Sequence, residues 1–235
     1  MLTRRGLMLG AAALSFSSSK SAASVDWRTD LDEWLSENEN QGKTLGPKLL
    51  PKDDERWEQA QAVMDASPWG VTPIEVAKYF VGDVAQKWIR AWPTEYANPI
   101  IVLFFAATHD KSAGDTTPWC AAFLNWCLQR SEMEGTHHAG SQSFVDWGTT
   151  VWADQDGASL SDARQGDIAI FRHKSDPVHG HVAFFESVST TQANSVVVLG
   201  GNHIAGKTHL IQEKTLRTNA DLQLIRIATK KGLHR

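Results

Sequence analysis

The chain has 235 residues, 42% of them hydrophobic, enough to bury a full core in one domain with a helical extension. Its formal net charge is -4, and the Lys and Arg residues are scattered, so the basic patch that nucleic-acid binding requires is missing. In chain order, Arg4-Arg5 precede an apolar run from Leu7 to Phe16 that is too short to span a bilayer, followed by Ser21-Ala22-Ala23, the small residues a signal peptidase needs. Residues 1–23 are therefore expected to be a twin-arginine-type signal peptide, directing the protein to the periplasm or otherwise out of the cytoplasm. Its removal takes away Arg4, Arg5 and Lys20 and no acid, leaving a more acidic mature chain with no stable membrane insertion.

Residues 24–97 are expected to form a helical, tryptophan-rich extension, with Trp27, Trp34, Trp57, Trp69, Trp88 and Trp92 and breaks at Gly46-Pro47, Pro51 and Pro68-Trp69-Gly70. Thr72-Pro73-Ile74-Glu75 places proline in a first helical turn, and Val76, Tyr79, Phe80 and Val84 continue the apolar period. Sugar stacking is one use for such tryptophans; helix packing is the favoured one. From Asn98 the texture changes. Helices are expected over Ile100–Ala107, Trp119–Leu128 and around Phe144–Val151, after which the period switches to two. Strands are then expected at Asp167–Phe171, His181–Phe185, Ser195–Leu199 and Leu222–Ile227. Helices first and consecutive strands afterwards imply an α+β fold with an antiparallel sheet.

Cys120 and Cys127 are the only cysteines. Seven residues of helix separate their Cα atoms by roughly 10 Å, too far for a disulfide, so both are expected to be free thiols. In Thr117-Pro118-Trp119-Cys120, Thr117 suits an N-cap and Pro118 the first helical position, which puts Cys120 in the first turn. Unpaired N–H groups and the helix dipole there favour a thiolate and can serve an oxyanion. Cys127 has no such placement and reads as core.

A thiolate nucleophile needs a base. Among nine histidines, His181 alone opens an apolar strand directly after a glycine. His179 and His181 are spaced as metal ligands can be, but neither cysteine forms a paired motif with them, and no metal or other cofactor is invoked. Gly200-Gly201-Asn202 follows on the next strand, where Asn202 is a candidate to orient the imidazole; a plain turn is the alternative.

Asp115-Thr116-Thr117-Pro118-Trp119-Cys120-Ala121-Ala122-Phe123, Gly166-Asp167-Ile168, Gly180-His181-Val182 and Leu199-Gly200-Gly201-Asn202, in that order, resemble the motifs of CHAP-type (cysteine- and histidine-dependent) amidohydrolases and peptidases. The resemblance covers roughly Asn98 to Ile227 and makes residues 98–235 a CHAP-like catalytic domain. It implies a papain-like fold, with the nucleophile-bearing helix packed on an antiparallel sheet, and cleavage of an amide bond of peptidoglycan or a muropeptide. The site it implies comprises Cys120 as nucleophile, His181 as general base and Asn202 as orienting residue, acting through a thioester. One departure stands out: His203 occupies the place of a glutamine usual in the nearest branch, which leaves Asn202 and His203 in competition for the third role. Trp119 is a candidate wall of the substrate cleft, with packing as the alternative; Asp115 and Thr117 are expected to shape the loop and helix start. A catalytically silent wall-binding module and an acyltransferase using the same dyad are the other readings. The sequence names no protein partner.

Overall fold

A computed structural model describes residues 48–110, 114–154 and 159–235. The expected signal peptide, together with Trp27 and Trp34, lies outside the described residues.

Of the four described α-helices, two start on a side-chain cap and two are marked by the face they bury. Helix α1 (Arg56–Asp65) buries Trp57, Ala60 and Met64, one face at helical spacing. Helix α2 (Pro73–Gly82) opens with a capping box: Glu75 accepts from the N–H of Thr72 at 2.8 Å, while Pro73 fills the first turn without wasting a donor. Helix α3 (Pro99–Phe104) is capped by Asn98, whose side-chain oxygen accepts from the N–H of Ile100 at 2.9 Å. Helix α4 (Cys120–Arg130) is buried through its first nine residues except Trp126.

Six strands follow: β1 (Thr149–Ala153), β2 (Ile168–His173), β3 (Gly180–Val188), β4 (Ser195–Ala205), β5 (Thr208–Arg217) and β6 (Leu222–Thr229). They form one antiparallel sheet in the order β1-β6-β2-β3-β4-β5. Alternation sorts their side chains into two cores. Ile168, Ile170, Val182, Phe184 and Leu199 face the helices. Ala169, Phe171, Ala183, Phe185, Val196 and Val198 pack on the opposite face with Trp152 and Leu224.

Two elements differ from the sequence expectation. The helix expected around Phe144–Val151 is a 3-10 turn (Ser141–Asp146) leading into β1. Gly148 reverses the chain there at φ +66°, and Thr149-Thr150-Val151 are β-branched residues that suit a strand. Strand β5 was not expected at all: it alternates half-buried and exposed polar residues and lies at the sheet edge.

Residues 48–97 share the main core and are only partly helical. Leu50, Trp57, Phe80 and Trp88 are buried in the same cluster as Trp119 and Phe123. The backbone also joins the sheet: the N–H of Ala91 donates to His209 O and the N–H of Ile211 to Ile89 O, both at 2.8 Å. Packing is therefore continuous across 97/98, and the tryptophans at 57 and 88 serve it. Trp69, 43% exposed, is the exception; it lies under the guanidinium of Arg130. Among the described residues no helix is long and apolar enough to cross a membrane.

Candidate active site

The site forms where β4 parts from β3. Their ladder runs from Phe184–Leu199 to Val188–Val196 and does not reach residues 181–183 of β3. The N–H of Val182 points instead at the sulfur of Cys120, the first residue of α4. The Cys120 sulfur thus lies beside a backbone N–H that the β3–β4 ladder leaves unused. The helix begins at Trp119–Cys120, with the N–H of Phe123 donating to Trp119 O at 3.0 Å. Thr117 is accordingly not the N-cap: it lies three residues ahead of the helix and lines the cleft.

Burial decides the protonation of the thiol. Cys120 is 2% exposed, and loss of solvent raises its pKa above the ordinary thiol value. The N–H groups of Val182, Ala121 and Cys120 oppose that shift without overcoming it. The thiolate expected from the helix start is therefore not the resting form. Cys127, about two turns further along the helix and fully buried, is raised much further by the same cause, and both cysteines are free.

His181 stands on β3 opposite Phe171 of β2 and is 7% exposed. Burial, then the positive charges of Lys214 and His173, lower its pKa to about 4. Thiol and imidazole are both neutral at rest. Gly180 precedes His181 for a steric reason: a Cβ there would lie 2.1 Å from Phe171 O and 2.4 Å from Nε2 of Gln142. Gln142 occupies that space, donating to Phe171 O at 2.8 Å while its Oε1 accepts from Arg172 Nε at 2.8 Å, and so braces the end of β2 opposite Gly180.

The third member is where residue-by-residue alternation fails. Gly200 pairs with Gln212 and His203 with Leu210, so Gly201 and Asn202 together oppose the single residue Ile211. This is a β-bulge, and Asn202 takes the left-handed conformation at φ +62° that asparagine tolerates better than most residues. The Asn202 side chain turns towards β5, where its Oδ1 lies 2.8 Å from Nδ1 of His209. Asn202, the expected orienting residue, is therefore engaged elsewhere. The ring against His181 is that of His203, with centroids 4.5 Å apart and planes at 49°. His203 is 3% exposed, and its pKa is lowered well below the ordinary value by burial, then by His181 and Lys214.

Trp119 does not wall the cleft. It is fully buried, stacks on Phe104 at 6.2 Å, and fills the space a Cβ on Gly201 would need, 2.4 Å away. Asp115 is 1% exposed and accepts at Oδ2 from the N–H groups of Trp92 and Asn98 at 2.8 and 2.9 Å, tying the N-terminal segment to the loop before Cys120. Burial raises its pKa, opposed by those N–H groups. Asp167 of the Gly-Asp-Ile motif is also structural: it accepts from the N–H of Arg164 at 2.7 Å and pairs with His234 at 2.8 Å.

Cys120, His181, Asn202 and His203 open into one cleft of about 980 Å³, room for a peptide stem. Lys214 and His209 of β5 line it too. Neither was singled out from the sequence, since β5 carries no motif. Asn125, buried in α4, holds another wall, accepting from the N–H groups of Thr136 and His137 and donating to His138 O. Its position one helical turn after Ala121 is the only sequence signal it offers.

No curated protein and no solved structure matches the chain. The family model of the CHAP domain matches residues 112–202, from the loop before Cys120 to the bulge at Asn202, and this match is consistent with a CHAP-type cysteine amidase or peptidase.

Proposed function

We propose that this chain is an exported cell-wall hydrolase that cleaves an amide or peptide bond of peptidoglycan through a thioester on Cys120. The observation that carries the reading is that Cys120 and His181 line one open cleft, with the Cys120 sulfur beside the N–H of Val182, the residue after His181. The CHAP match supports the cell-wall substrate, and the Arg4-Arg5 segment with its small-residue site supports export.

With thiol and imidazole both neutral, the proton moves during attack. His181 takes the proton of Cys120 as the sulfur adds to the carbonyl carbon, and the helix-start N–H groups of Cys120 and Ala121 favour the negative charge that develops. The C–N bond then breaks, His181 gives its proton to the leaving amine, and a thioester remains. Water, deprotonated by His181, adds to the thioester and releases the acid and the thiol. His203 packs against the imidazole in the position of an orienting partner.

Muropeptides released from purified sacculi, identified by mass spectrometry, test the reading. The chain from Ser24 onwards should release new amines and carboxylates, Cys120→Ala should lower release by roughly a thousandfold or more, and Cys127→Ala should keep it. Equal loss in both variants would overturn the assignment. Cell fractionation addresses export: only an unprocessed cytoplasmic form would refute it.

A further inference from the structure

Besides its histidines, the cleft is lined, among the described residues, by three formally charged side chains, Asp110, Asp176 and Lys214. The two acids have partners. Asp110 accepts from the N–H of Ala139 at 2.5 Å and lies 3.4 Å from Nδ1 of His138, and Asp176 lies 2.7 Å from Nδ1 of His179. Lys214 is different. Its ammonium donates to Ile204 O at 2.7 Å, and among the described residues no carboxylate forms an ion pair with it. An ammonium has three donors and a full charge, so a single neutral acceptor leaves most of its capacity unused.

Its placement in the sheet is informative. Lys214, on β5, pairs with Val198 of β4 and shares a face with Leu216, which packs against the cluster that includes Val198 and Phe171. That is the face on which His181 stands, opposite Phe171. The positive charge of Lys214 acts on both His181 and His203, whereas the groups acting on the Cys120 sulfur are the N–H groups beside it. Lys214 thus belongs to the imidazole side of the site. In amide cleavage that side receives the leaving amine, because His181 must protonate it.

We propose that Lys214 is a binding residue for a carboxylate carried by the leaving-amine fragment, so that the enzyme selects amides whose departing residue bears a free carboxylate. The proposal rests on the hydrolase reading of Cys120 and His181. A carboxylate there supplies the charge-assisted acceptor that the fold does not. It also offsets the positive charge that opposes protonation of His181, at the moment when the imidazole must carry a proton.

Binding to the full chain carrying Cys120→Ala, measured by calorimetry, separates recognition from turnover. Three short peptide amides serve as probes: one with a free carboxylate on the leaving residue, the same peptide as its carboxamide, and one with the carboxylate moved to the acyl side. The first should bind at least roughly tenfold more tightly than the other two. Adding Lys214→Met should abolish that preference by weakening the first peptide alone, and Lys214→Arg should keep it. An unchanged preference in Lys214→Met, equal weakening of all three peptides, or preference for the acyl-side carboxylate would each overturn the site. Failure of the hydrolase reading looks different: the chain with Cys120 intact would cleave none of the three at saturating concentration while the preference persisted.

Discussion

The two faces of the sheet are built from the same strands and treat polarity in opposite ways. On the helix-covered face, Ile170, Val182, Phe184 and Leu199 meet Trp119, Phe123 and Leu124 in a closed apolar layer. The other face begins as an equally dry cluster around Phe171 and Val198, yet towards β3, β4 and β5 it carries His181, His203 and Lys214. A β-bulge and an unfinished ladder separate the two regimes. The closed face seats α4, and the interrupted face gives up backbone pairing where the cleft lined by Cys120 and His181 opens.

If that division is right, filling the closed face should be the most damaging change. A Cβ on Gly201 would come within 2.4 Å of Trp119 and 2.9 Å of Phe123, neither of which has room to move. Gly201→Val should therefore cost about 3 kcal/mol or more of stability, at the upper end of overpacking effects, and activity with it. Gly82→Ala, where no atom lies within 4 Å, is the matched control and should be nearly neutral. Urea unfolding of both variants checks this; equal, small losses would mean that α4 is not tightly seated on β4.

On the interrupted face, burial of an imidazole gives a dependence on acid. Above pH 6.5 His181 is neutral folded or unfolded; between 6.5 and about 4 the unfolded chain takes up a proton that the folded chain refuses. Stability should fall as pH drops through that window, by about 1.4 kcal/mol per pH unit and about 3 kcal/mol in all from this group. His181→Gln should flatten the slope of urea midpoint against pH. The same property keeps the base neutral in mild acid, so kcat/KM on a soluble muropeptide should hold until the pH approaches about 4. An acid limb near 6.5 would show that His181 is not buried during turnover.

What the sequence made legible was set by local periodicity. Strands at Ile168, His181, Ser195 and Leu222 and the helix carrying Cys120 are written as apolar patterns, and each begins within one residue of its expected start, though β4 runs six residues past its expected end to Ala205. Strand β5 escaped because Gln212, Glu213, Lys214 and Thr215 give an edge strand no apolar signature, and with it went Lys214 and His209. The thiolate expected from the helix start assumed that position governs the thiol, but burial acts on the whole side chain and wins. The choice between Asn202 and His203 was not legible because alternation holds only in an unbroken strand, and the bulge turns Asn202 towards His209 and leaves His203 against His181.

That bulge leads to the smallest and most diagnostic effect. His203 touches His181, whereas Asn202 reaches His209, so removing the two side chains should separate positioning of the base from shaping of the bulge. His203→Ala should lower kcat by roughly 10- to 100-fold with KM little changed, as for a misplaced catalytic group. His203→Gln, which keeps a polar side chain of similar reach, should recover most of that loss. For Asn202 the informative variant is Asn202→Gly, because glycine accepts φ +62° without strain while alanine adds a backbone penalty unrelated to catalysis. Loss of the His209 contact then acts only through the bulge, and kcat should fall by less than roughly tenfold, well short of His203→Ala. If Asn202→Gly is the slower enzyme, the imidazole takes its orientation from Asn202 during turnover, and the pairing with His209 is exchanged for one with His181 when substrate binds.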